Sequence, residues 1–198
     1  VESHLADRFY LTGGTALSAF YLAHRRSDDL DLFSREPVDA REVLRFMKQI
    51  ADEEPILRRV EHRWGFLAQV GGESVRVEFV HYDHDWIEPP LPLRGALRVD
   101  GLRDLLANKL SAVIERTTGK DFADIVLLLR RGDLTLRQGV EDCRRKFGWP
   151  GMDHLVQPAL LKVERVKDWP EVVPALTQEE ATRELREHVR TLLALDEP

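Results

Sequence analysis

The 198-residue chain is short of most features that announce a compartment or a partner. It has one cysteine, Cys143, so no internal disulfide can form and a reducing cytoplasm is expected. No apolar run reaches the length that spans a bilayer, and no secretory signal is visible. An excess of basic charge is missing too. Its 29 Lys+Arg face 35 Asp+Glu, a formal net charge of −6, which argues against a dedicated non-specific nucleic-acid binder but leaves room for a local basic patch. There is no internal repeat and no low-complexity segment. Val1 rather than Met opens the chain, so native residues are expected before it. What is present is 43% hydrophobic and 32% charged, enough for a real core in one domain or a domain with a helical extension.

Periodicity divides the chain in two. Residues 8–13 read as a short buried strand ending at Gly13-Gly14, Thr15 to Ala23 as a helix, and 28–33 as a second strand. Asp39 can cap a helix to Ile50, with Val43, Leu44, Phe46, Met47 and Ile50 as its apolar stripe. Residues 56–62 and 65–70 read as a hairpin, and Gly71-Gly72 turns into the alternating strand Val75–Val80. Pro89, Pro90, Pro92 and Gly95 punctuate residues 83–98, and we expect the boundary there, with an α/β core over 1–95 and an all-α part over 96–198. From Asp100, a candidate cap, Leu102, Leu105, Leu106, Leu110, Val113 and Ile114 keep a 3.6-residue period. Further helices are expected over Lys120–Arg131, ended by Gly132, from Thr135 with a capping box to Gln138, over 152–165, and from Thr177-Gln-Glu-Glu180 to about Leu195.

The densest chemistry lies between Phe9 and Phe33. A Gly-Gly pair opening a helix presents bare N–H groups suited to phosphate. Asp29 and Asp31 alternate onto one strand face, roughly 7 Å apart at Cα, while Leu30 and Leu32 point to the core. Three acids in four residues, at 28, 29 and 31, repel one another on a buried strand unless a cation relieves them. Mg²⁺ suits such a pair, because it takes one or two carboxylates, several waters and substrate phosphates. Asp28 faces the other way, as a solvated or capping residue. Thr15 can give its hydroxyl to phosphate or cap the helix. Glu78 shares a strand face with Arg76 and Val80; it is either a third acid or simply the partner of Arg76. His81 and His84 form a weak metal pattern. Between residues 130 and 146, six basic residues face three acids, a candidate RNA contact or a solvated helix face.

Gly13-Gly14-Thr15-Ala16-Leu17, His24-Arg25, Ser27 and Asp29-Leu30-Asp31-Leu32-Phe33, with the later Asn108-Lys109-Leu110 and Lys120-Asp121-Phe122-Ala123-Asp124-Ile125, resemble the AbiEii/AbiGii nucleotidyltransferase-like toxin family of bacterial toxin–antitoxin and abortive-infection systems. The resemblance implies an α+β fold, a minimal polymerase-β-like nucleotidyltransferase mixed sheet with flanking helices, followed by an all-α bundle. It implies an NTP substrate, a Mg²⁺ or Mn²⁺ ion on Asp29 and Asp31, and an antitoxin partner. Glu78 would be the third acid or general base. Lys109 would neutralise triphosphate, Asp124 rather than Asp121 would complete the cleft, and Arg25 and Ser27 would orient carboxylates or nucleotide. Some members resemble enzymes that add nucleotides to the acceptor end of tRNA, so tRNA is the expected acceptor. A transferase acting on a small-molecule or protein hydroxyl, and a nucleotide-binding module without turnover, are the alternatives.

Overall fold

Side chains alternate across a strand, so a sheet with one apolar face and one polar face buries only the first. The computed structural model, which describes residues 5–60, 62–93 and 95–194, is built on that rule. In chain order, α1 (Leu5–Arg8) leads into β1 (Tyr10–Thr12), and α2 (Gly13–Leu17) runs on into a wider, π-type turn at Ser18–Leu22. Then come β2 (Asp29–Ser34), α3 (Ala40–Ile50), β3 (Ile56–Val60), β4 (Arg63–Val70), β5 (Glu73–His81), β6 (Leu91–Pro92) and β7 (Arg98–Val99). The remainder is helical: α4 (Leu102–Glu115), α5 (Gly119–Arg130), α6 (Leu136–Phe147), α7 (Met152–Leu161) with a tighter turn at Lys162–Arg165, and α8 (Gln178–Ala194).

The chain forms two compact units. The first holds the described residues to Ala19 together with Arg26–Gly101, and carries one mixed sheet in the order β3-β4-β5-β2-β1-β7-β6. β2 is central, antiparallel to β1 and parallel to β5. Val43 and Met47 of α3 pack with Leu5, Phe9, Phe66, Ala68, Val77 and Phe79, and Leu30 and Leu32 rest against this core. One face of the sheet is thereby filled, and the odd-numbered acids of β2 are left on the other.

The second unit takes Phe20–Arg25 and the described residues from Leu102 on. Its first segment is held there by its own bonds: the Val173 N–H donates to the His24 carbonyl at 2.7 Å. The break therefore falls after Gly101 rather than at residue 95, because β7 pairs in parallel with β1 and extends the sheet. Those two-residue strands went unrecognised among the prolines; β6 tolerates Pro92 because it lies at the sheet edge.

Side-chain caps mark three helix starts among the described residues. Asp39 caps α3, accepting from the Arg41 N–H at 2.8 Å. Thr135 caps α6, accepting from the Gln138 N–H at 3.2 Å. Thr177 and Glu180 form the reciprocal box at α8, at 2.9 and 3.2 Å. Asp100, two residues before α4 begins, is fully buried and accepts from the Thr12 hydroxyl at 2.6 Å. The helix expected from Thr15 begins at Gly13, and β1 is shorter than the strand expected over 8–13. Glu61, in the expected hairpin, and Leu195, at the expected end of the last helix, lie outside the described residues.

Candidate active site

The acids of β2 meet the glycine turn directly. Thr12 pairs with Asp31 across β1 and β2, so the residue after Thr12 lies beside the Asp31 carboxylate. Gly13 holds φ at +71°, a conformation L side chains rarely adopt. A Cβ placed there would overlap Asp31 Oδ2 and lie 3.1 Å from its Cγ. Only glycine lets backbone and carboxylate approach this closely. Thr15 fastens the same turn to the same strand, its hydroxyl donating to the Asp29 carbonyl. That hydroxyl has a single hydrogen, and here it serves the joint between α2 and β2.

Asp29, Asp31, Arg76 and Glu78 lie on one face, because the parallel register sets Asp29 beside Arg76 and Asp31 beside Glu78. Arg76 does not pair with Glu78 as its own strand neighbour. Its Nη1 donates to Asp29 Oδ1 at 2.8 Å, and Glu78 instead accepts from Arg63 on β4 at 3.1 Å. Gly65 opposes Glu78 and presents no side chain there. Two arginines thus partly compensate the acids. Asp28 is exposed and Ser27 half-buried. Among the described residues no three His, Cys, Asp or Glu side chains form a metal-binding group, and His84 packs its ring on Tyr82 at 4.7 Å. Two hard carboxylate oxygen donors on one face, beside backbone that only glycine permits, nonetheless fit the modest donor set that Mg²⁺ takes from protein.

In the second unit, α4 and α5 bury a second constellation. Lys109 is 6% exposed, and its ammonium donates to Asp121 Oδ1 at 2.8 Å and approaches Asp124 Oδ2 at 2.6 Å. Arg25 grips Asp124 with two hydrogen bonds of 2.8 Å. Arg116 donates to Asp121 at 2.7 Å. Burial by itself would raise the Asp124 carboxyl; the Lys109 ammonium and hydrogen bonds from Arg25 and His24 overcome it and hold the group below the ordinary carboxylate range. Asp121 is likewise lowered, against its burial, by Lys109 and Arg116. An ionised Asp124 can only accept, so the His24 Nε2–H donates to its Oδ1, at 2.7 Å. Neither acid was legible as a paired, wholly buried group, because its partners come from other segments. The one sequence clue to His24 was its place beside Arg25.

Three of the six basic residues over 130–146 are taken up in ion pairs. Arg130 grips Glu184, Arg131 reaches Asp133, and Lys146 is fully buried against Asp104 at 2.7 Å.

A mixed sheet whose central strand carries two acids against a glycine turn, with helices following, is the nucleotidyltransferase architecture. The sequence profile of the AbiEii nucleotidyl transferase toxins of type IV toxin–antitoxin systems matches residues 1–197, and the chain belongs to that family. It is a nucleotidyltransferase. The uncharacterised protein aq_aa25 of Aquifex aeolicus is 25% identical over 150 residues, 74% of this chain and 70% of that protein. Two crystal structures share the fold at 19% identity, each covering 98% of this chain and 92% of the other. One is an H. pylori chain provisionally described as a nucleotidyltransferase (TM-score 0.59), the other JHP933 from Helicobacter pylori (TM-score 0.58). No helix among the described residues is long and apolar enough to cross a membrane.

Proposed function

We propose that this toxin transfers a nucleotidyl group from an NTP to an RNA 3′ hydroxyl, the tRNA acceptor end, in the cytoplasm, and that an antitoxin from the same system counters it. The observation that carries the reading is the close approach of the Gly13 backbone to the Asp31 carboxylate, which sets a turn suited to phosphate beside an acid suited to a metal. Backbone N–H groups of Gly13 and Gly14 hold the triphosphate. Asp29 and Asp31 would hold a Mg²⁺ or Mn²⁺ ion, which when bound would supply neutralisation of phosphate charge. Asp29 can do so while its Oδ1 accepts from Arg76, because the carboxylate keeps a second oxygen. Glu78, beside Asp31 in register, accepts the proton of the attacking hydroxyl once released from Arg63. Lys109, Asp124 and Arg25, the family signature of the second unit, together with Ser27, are required for transfer; the ion pairs of the first three fix their positions.

The experiment incubates the protein with labelled NTP, Mg²⁺ and total tRNA. Label should enter RNA with the unaltered protein and stay out with Asp31→Asn, whose melting temperature should not fall. Unlabelled RNA would sink the reading. Label on a small metabolite or a protein would select the second reading, transfer to such a hydroxyl, which the net charge of −6 favours.

A further inference from the structure

The face of β3, β4 and β5 opposite α3 is open, and its charge runs against that of the chain. Alternation places Ile56 and Arg58 of β3, Arg63, Leu67 and Gln69 of β4, and Ser74, Arg76 and Glu78 of β5 on that one face. All are exposed except Glu78, which is half-buried. Ile56 is 58% exposed, and the side chains of Arg63 and Arg76 are 54% and 59% exposed. Three arginines and one acid therefore share this surface in a chain of net charge −6. Arg58 makes no ion pair among the described residues. Arg63 and Arg76 are ion-paired with Glu78 and Asp29, so the strip reaches the carboxylates of β2 with Arg58 as its charge outside those pairs.

We propose that this open sheet face is a binding track for the phosphodiester backbone of single-stranded RNA, with Arg58, Arg63 and Arg76 as its phosphate ligands; the inference deepens the transferase reading above and rests on it. An acceptor hydroxyl must lie on the face that carries Asp29 and Asp31. A nucleic-acid end brings backbone phosphates with its hydroxyl, and those phosphates need cations along the same face. The guanidinium fork suits phosphate oxygens in pairs. The exposed Ile56 and Leu67 offer apolar contact to riboses and bases between them. Strands lie about 4.8 Å apart, so Arg58, two strands from Glu78, sits about 10 Å from it across the sheet, beyond the site itself.

The test is fluorescence anisotropy of a labelled, unstructured oligoribonucleotide at increasing salt, with the unaltered protein, Arg58→Gln, and the triple variant Arg58→Gln/Arg63→Gln/Arg76→Gln. These are exposed positions, and circular dichroism verifies that each variant is folded. For single strands log K falls with log salt by about 0.7 per neutralised phosphate, so Arg58→Gln should flatten the slope by about 0.7 and the triple variant by about 2. Calorimetry of Mg·ATP binding to the unaltered protein reports on the transferase reading by itself. RNA binding with an arginine-dependent slope supports the track whatever the nucleotide result. A protein that binds Mg·ATP but whose RNA affinity ignores all three arginines overturns the track and leaves the transferase reading standing. No RNA binding by the unaltered protein also overturns it, as does displacement by polyglutamate as effective as by unlabelled RNA, which would assign the face to an acidic protein.

Discussion

Replacing Lys109 by Met should destabilise the protein severely, although the residue reads in sequence as a phosphate-binding lysine. Methionine keeps most of the side-chain volume and removes the ammonium that lies 2.6–2.8 Å from two wholly buried carboxylates. Breaking a buried ion pair from one side costs about 3–5 kcal/mol, because the remaining charge is left in low dielectric. Arg25 and His24 still serve Asp124, and Arg116 serves Asp121, so the lower end, about 3 kcal/mol, is expected. For a chain of this size that is a fall in melting temperature of about 6–12 °C. Urea titration at neutral pH should show a lower midpoint with an unchanged slope. The pH dependence gives a second reading. Asp121 and Asp124 have folded pKa values below their unfolded values, about 3.9, so their stabilisation is present above about pH 4 and is lost as pH falls through the folded values. The gap between variant and parent should be widest near neutrality and narrow below about pH 4 as the carboxylates protonate. An unchanged urea midpoint at neutral pH would refute the claim that Lys109 anchors this cluster.

Other perturbations separate the site from the scaffold. Gly13→Ala combines a strained φ with overlap onto Asp31, so it should abolish transfer and lower the melting point; a fully active variant would show that the close approach is dispensable. Burial, followed by the neighbouring Asp142, pushes the Cys143 thiol up to about 12, so Ellman's reagent should leave it untouched in the native protein and modify it fully in urea. Thr177→Ala removes one arm of the α8 capping box and should cost about 1 kcal/mol in urea unfolding, with transfer unaltered.

The sequence by itself determined what depends on neighbours along the chain. Alternation put Leu30 and Leu32 on the core side and Asp29 and Asp31 on the other, and capping patterns at Asp39, Thr135 and Thr177 placed helix starts within a residue or two. Local reading failed where partners are distant. Whether Arg76 meets Glu78 or Asp29 was decided by the parallel register of β2 and β5, which joins residues 47 apart. The resemblance gave Asp124 a place in the cleft, and only the return of residues 20–25 to the helical unit, 100 positions away in sequence, supplied His24 and Arg25. Lys109 read as a phosphate ligand, and packing of α4 on α5 made it the buried centre of an ion network. Hydrophobic period fixes which side of an element faces inward; which charge it then meets is a property of strand register and helix packing, to which no local pattern is bound.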